Sequence, residues 1–232
     1  MFVGHYGPSF AGKALKKSIP LWVLFGAVQL LDVFWSIFVL LGIEKVRIVP
    51  GITKTNPLDL YYMPYTHSLD GAMVWALAAG IVFWLFRRAD GWRNAAVVSV
   101  AVFSHWILDL IVHRPDLPLY DNSLKTGLGL WNFPVMALAL ELAVLFGGMY
   151  FYLSRTEAIT SGGRYGMVVF GLVMTCVQVV VFFGPPPSSD RAAAITALAL
   201  YLVFAAAAYW LEKKRVPKTV RGSERTHAVP AN

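Results

Sequence analysis

Long apolar runs alternate with short polar connections along this chain, at roughly 20–42, 68–86, 94–113, 130–153, 166–184 and 192–211. Each is close to the ~20 residues that a helix needs to cross bilayer hydrocarbon. The runs are continuous instead of alternating, which predicts helices and not barrel strands. The pattern predicts an all-α membrane protein, a bundle of about six transmembrane helices, with one polytopic domain over residues 1–211. From residue 212 the chain turns polar and basic. Residues 212–232, with His227 among them, are expected to form a disordered cytoplasmic tail near anionic lipid. The sixth run is alanine-rich (Ala192–Ala194, Ala205–Ala208), which suits close helix packing. Packing is the expected task of the last two helices.

Composition supports this reading. Apolar residues make up 57% of the 232 and charged ones 14%, against about a quarter charged in soluble domains. The net charge of +7 does not indicate nucleic acid, because the basic residues form no single stripe and sit between the apolar runs. With the N-terminus in the cytoplasm, 14 Lys and Arg residues fall on the inner side and 6 on the outer. That bias places both termini in the cytoplasm. The first run is too long for a secretory signal and is expected to stay as a span. The one cysteine, Cys176, lies within a run and excludes internal disulfides. It is expected to be a buried thiol. Together these features suit a bacterial inner membrane, with lipid as the surrounding partner.

The third run carries the strongest chemical signal, Ser104-His105-Trp106-Ile107-Leu108-Asp109-Leu110-Ile111-Val112-His113. At about 100° per residue, His105, Asp109 and His113 project from one helix face. His105 and Asp109, one turn apart, are close enough to share an ion. Nearly 12 Å of helical rise separates His113 from His105, which sets His113 outside that pair. Ionisable groups in hydrocarbon cost several kcal/mol unless paired or used, so the two together point to function.

Other groups reach a similar depth. His67 and Asp70 share a face at the start of the second run, where Thr66 or Ser68 could cap the helix. Asp32 lies near the middle of the first run. Asp32, His67, His105 and Asp109 can converge in the outer half of the bundle. This nitrogen and oxygen donor set suits zinc, with manganese or iron as alternatives. Glu141, in the middle of the fourth run, reads equally as a general base or as a neutral, hydrogen-bonded acid. His5 precedes the first span and nominally lies in the cytoplasm. Only a re-entry of residues 1–19 would bring it to the cluster.

These motifs resemble the predicted membrane-bound metal-dependent hydrolases, the YdjM-like family. The resemblance rests on His5, Asp32, Thr66-His67-Ser68, and His105 with Asp109, and covers about residues 4–116. Two places depart from the family pattern. A Pro-Asp-x-Asp element is replaced by Gln29-Leu30-Leu31-Asp32, leaving one carboxylate, and Met63-Pro64-Tyr65 stands where an arginine and a glycine are usual. The resemblance implies that His5 is a further ligand and that the N-terminal segment folds back into the bundle.

The expected function is hydrolysis of an ester or phosphoester in a lipid-like substrate. His67, His105, Asp109, Asp32 and His5 would hold a divalent metal, and Asp70 or Glu141 would take the proton. The alternative is a proton- or cation-coupled transporter or channel using the same residues, which broken helices and an inverted repeat would favour. A third expectation is a non-catalytic assembly factor with a vestigial site.

Overall fold

The computed structural model describes residues 1–218, which form a helical bundle with a two-stranded antiparallel sheet at each end. Five helices are long and apolar enough to cross a membrane: α4 (Leu69–Phe86), α5 (Trp92–Val112), α6 (Pro134–Arg155), α7 (Ser161–Phe183) and α8 (Asp190–Glu212). Their outward faces stay apolar, with Leu77, Ile81, Val180, Leu202 and Val203 exposed. Helices apolar on every side belong in lipid. Cys176 is on such a face and is exposed rather than buried, because in a bilayer the outside of a helix is as apolar as its packed side.

The helix bounds follow local chemistry. Thr160 and Ser189 cap α7 and α8 through the backbone N–H of Gly163 and Ala192. Both helices therefore start earlier than hydropathy suggests. Ser68, not Thr66, caps α4. α6 starts later than expected, because Leu130–Asn132 form a 3-10 turn and Pro134 takes the first helical position.

The first apolar run is not one helix. It divides into α2 (Leu21–Val28) and α3 (Leu30–Leu40), bent by 54°. No proline or glycine marks the break at Gln29. Instead the Val28 carbonyl pairs with His105 Nδ1 at 2.7 Å, and Gln29 Nε2 donates to the Phe2 carbonyl. Side chains that enter the helical ladder in this way bend a helix.

Residues 1–19 do re-enter the bundle. A 3-10 turn at Val3–His5 leads into α1 (Tyr6–Leu15), which packs against α2, α5 and α6. Val3, His5, Tyr6 and Phe10 are fully buried. Two intramembrane polar side chains hold the segment in place. Glu141 accepts from the backbone N–H of Phe2 and Gly4, and Gln178 Oε1 accepts from Val3 N–H. These are the donors that a helix start leaves without partners. α1 and α6 also approach closely, since a Cβ at Gly7 would lie 2.2 Å from the Val144 carbonyl oxygen. From there α1 runs to the basic end of the bundle, where Lys13 pairs with Glu212 at 2.5 Å.

At that end β3 (Thr156–Ala158) pairs with β4 (Arg215–Pro217), and the Arg215 guanidinium donates to Thr156 and to the Gly163 carbonyl. The expected tail is therefore ordered over 212–217. Residues 219–232, including His227, lie outside the described residues. At the opposite end β1 (Lys45–Ile48) pairs with β2 (Leu58–Tyr62). This hairpin and residues 113–133 cover the mouth of the bundle.

Candidate metal centre

Five side chains from four parts of the chain meet beneath that cover. α5 contributes His105 and Asp109 from its buried face, and Asp32 stands in the first turn of α3, where the positive helix end favours a carboxylate. His67 comes from the turn before α4, and His5 from the end of the N-terminal 3-10 turn. His5, His105 and Asp109 present ligand atoms within 4.8 Å of one another, and so do Asp32, His67 and His105. A metal ion could be held by either group.

The distances show how they share the space. His105 Nε2 is 3.0 Å from Asp109 Oδ2 and 3.6 Å from Asp32 Oδ1. His67 Nε2 is 3.2 Å from Asp32 Oδ1 and 3.8 Å from Asp109 Oδ2. His5 Nε2 is 3.1 Å from the other oxygen, Asp109 Oδ1, which the Met1 amino group also contacts.

In His105 and His67 the far side of the ring bears on the tautomer, whereas His5 Nδ1 is buried without a partner. His105 Nδ1 faces the Val28 carbonyl, which can only accept, so Nδ1 carries a proton and, in the neutral ring, Nε2 carries the lone pair. His67 Nδ1 is 2.7 Å from Thr66 Oγ1, whose own hydroxyl points to Glu44 Oε2 at 2.7 Å. With Glu44 ionised, the single hydroxyl proton of Thr66 goes to that carboxylate. His67 Nδ1 must then donate, and its Nε2 is bare. Outer groups commonly orient metal-binding imidazoles in this manner. Glu44 also accepts from the N–H of Tyr65 and Thr66, and burial raises its carboxyl above the ordinary pKa despite these donors.

In the neutral rings these nitrogens face carboxylate oxygens within a buried pocket, lone pair against lone pair. His105 Nε2 is buried and has no hydrogen-bond partner. An arrangement of this kind calls for a cation between its members, and the donor set fits one.

His113 flanks the group through Asp109 and not through His105. Its helical φ (−62°) and its N–H bond to the Asp109 carbonyl keep it on the path of α5, one turn beyond Asp109, so the rise still separates it from His105. Its Nε2 comes within 3.7 Å of Asp109 Oδ2, its Nδ1 pairs with Asp116 at 2.9 Å, and its ring lies against Trp131. Asp116 continues through Arg114 to Asp59 and Arg47 of the hairpin. Glu44, Asp116 and Tyr201 were not singled out in the sequence. Tyr201 Oη donates to Asp32 Oδ2 at 2.8 Å. The one available signal was a hydroxyl within an otherwise apolar run.

A cavity of about 620 Å³ leads from the cluster towards the hairpin end. Asp32, His67, Asp109, His113 and Glu141 line its inner part, while α8, the end of α7 and the Pro185–Pro187 turn make its walls. The last two helices thus do more than pack. Asp70, in the first turn of α4, does not line this cavity, and no hydrogen bond or ion pair joins it to the cluster among the described residues.

Thr66→Val should weaken metal binding about 10–100-fold, the usual effect of losing an orienting group, whereas Thr66→Ser should bind as the parent does. Titration of purified protein with zinc or manganese measures this, and equal affinities for all three proteins would refute the Glu44–Thr66–His67 relay. No family model, curated protein or solved structure matches this chain.

Proposed function

We propose that the protein is a membrane-embedded, metal-dependent hydrolase that cleaves an ester or phosphoester bond of a lipid-like substrate. The observation that carries this reading is the buried, partnerless His105 Nε2 behind two carboxylates that line the inner end of a cavity with largely apolar walls. A zinc ion, or manganese or iron, would polarise the scissile group and acidify a water there. Asp32, His67, His105, Asp109 and His5 would hold it, with the His105 ring oriented by Val28 and the His67 ring by Thr66 and Glu44. Of the two proposed proton acceptors, Glu141 lines the cavity and Asp70 does not. Glu141 takes the proton on a carboxylate lone pair left over by the N–H groups of Phe2 and Gly4. The cavity walls along α8 and the end of α7 receive the hydrocarbon part of the substrate and exclude water. The resemblance to the YdjM-like hydrolases agrees with this reading. The charge bias supports an orientation with the basic end in the cytoplasm, and the uncleaved first run with a single cysteine suits a bacterial inner membrane.

Chelation of protein in lipid nanodiscs should reduce hydrolysis of ester or phosphoester lipid analogues at least tenfold, and added zinc, manganese or iron should restore it. Elemental analysis finding none of these metals would overturn the proposal.

The break at Gln29 favours a second reading, since transporters bind ions where a membrane helix is interrupted. Against it, Tyr6, Phe10, Phe25 and Tyr152 pack together on the basic side of the cluster, where an ion path would have to continue. Metal-independent flux through proteoliposomes would support the transporter.

A further inference from the structure

Resting on the metal-centre reading above, the geometry points to two cations rather than one, bridged by the two oxygens of Asp109. The rings of His5 and His105 are parallel to within 5°, with centroids 3.7 Å apart. Their Nε2 atoms face different oxygens of one carboxylate, His5 toward Oδ1 at 3.1 Å and His105 toward Oδ2 at 3.0 Å. An imidazole lone pair lies in the plane of its ring, so a ligated metal must lie close to that plane at about 2.0–2.1 Å from the nitrogen. Two parallel planes stacked in this way share no such point. With the rings as they stand, one ion can lie in the plane of His5 or of His105, and holding both would require one ring to turn out of the stack.

Two ions satisfy both. Each would lie in the plane of its own ring, and the ring spacing matches the ~3.5–4 Å separation of paired metal sites. Asp109 would give one oxygen to each. The remaining ligands divide unevenly. Asp32 and His67 stand on the His105 side, since Asp32 Oδ1 is within 3.6 Å of both His105 Nε2 and His67 Nε2. That side forms a nitrogen- and oxygen-rich site, with His113 next to it. The His5 side is sparer, and there the Met1 amino group also contacts Asp109 Oδ1, so that a second ion would take its place on that oxygen. The His5 side also depends on the re-entrant segment, because His5 reaches Asp109 only when Glu141 and Gln178 hold residues 2–4.

The test is a metal count on the full-length protein, purified, stripped and reloaded with manganese(II) alone. Two ions per chain are expected, with the electron paramagnetic resonance signal of a coupled pair. His5→Ala should retain one ion with an uncoupled signal. One ion per chain in the parent protein, with no coupling, overturns the two-ion centre and leaves the single-metal reading standing. No bound ion overturns both. The parent protein decides the question alone if the variant does not fold.

Discussion

Asp109→Asn is expected to strip the centre of metal and to lower hydrolysis by about a thousandfold. Four imidazoles converge on this one carboxylate, with His5 on Oδ1 and His67, His105 and His113 on Oδ2. An amide keeps the shape but supplies no charge, and one of its two atoms becomes a donor. The ring nitrogens would then surround a neutral group, and a divalent cation would meet Asp32 as the one remaining negative partner among the ligands. Metal activation contributes several kcal/mol to a transition state, and each ~1.4 kcal/mol is a factor of ten. Metal analysis of the purified variant together with hydrolysis in nanodiscs measures both effects. Stoichiometric metal in Asp109→Asn would show that the ions, if present, are held elsewhere.

Gly148→Ala is expected to destabilise the protein by about 1–3 kcal/mol, the usual cost of forcing a methyl group into a packed contact. Gly147→Ala should leave it unchanged or slightly more stable. The two residues are neighbours on α6 and carry the same side chain. A Cβ at Gly148 would lie 2.1 Å from the Gly7 carbonyl oxygen, backbone that has no rotamer to yield, while a Cβ at Gly147 would meet nothing within 4 Å. Helix propensity favours alanine over glycine at both positions by about 1 kcal/mol, so the difference between the variants isolates the contact. In Gly148→Ala, α1 must move off α6 and carry His5 away from Asp109. Thermal unfolding in detergent and metal content should therefore change together. Equal stability for the two variants would remove the close approach of α1 and α6 from the account.

Much of this architecture can be read from hydropathy, because continuous apolar runs near bilayer length admit few structures besides helices. The pairing of His105 with Asp109 follows from one helical turn, and the depth of Asp32 from counting along its run. Most of what escaped came from places where the chain leaves regular geometry. α1 is ten residues long, too short to register as a span, and its burial depends on Glu141 and Gln178, more than a hundred residues away. His113 reaches the cluster as the i+4 neighbour of Asp109, a pairing that attention to His105 alone passes over. Glu44 lies in a connection, and its contact with Thr66 crosses from one connection end to the other. The break at Gln29 has no sequence marker, since its partners, Phe2 and His105, belong to other segments. Cys176 and Tyr201 show the limits of treating the later runs as packing, for one faces outward and the other holds Asp32.

The re-entrant segment bears on how the molecule is made. Residues 2–4 are tied to Glu141 and Gln178, Phe2 stacks on Phe204, and Lys13 pairs with Glu212. All of these partners leave the ribosome long after residue 15, and the last of them with the final helix. Residues 2–4 therefore reach their final place only after partners far downstream are made. A nascent chain halted before α6 has His67, His105, Asp109 and the Gln29 contact to Phe2, but lacks the Glu141 and Gln178 acceptors that fix the start of the re-entrant segment. The full set of contacts around His5 forms only once the last spans are inserted.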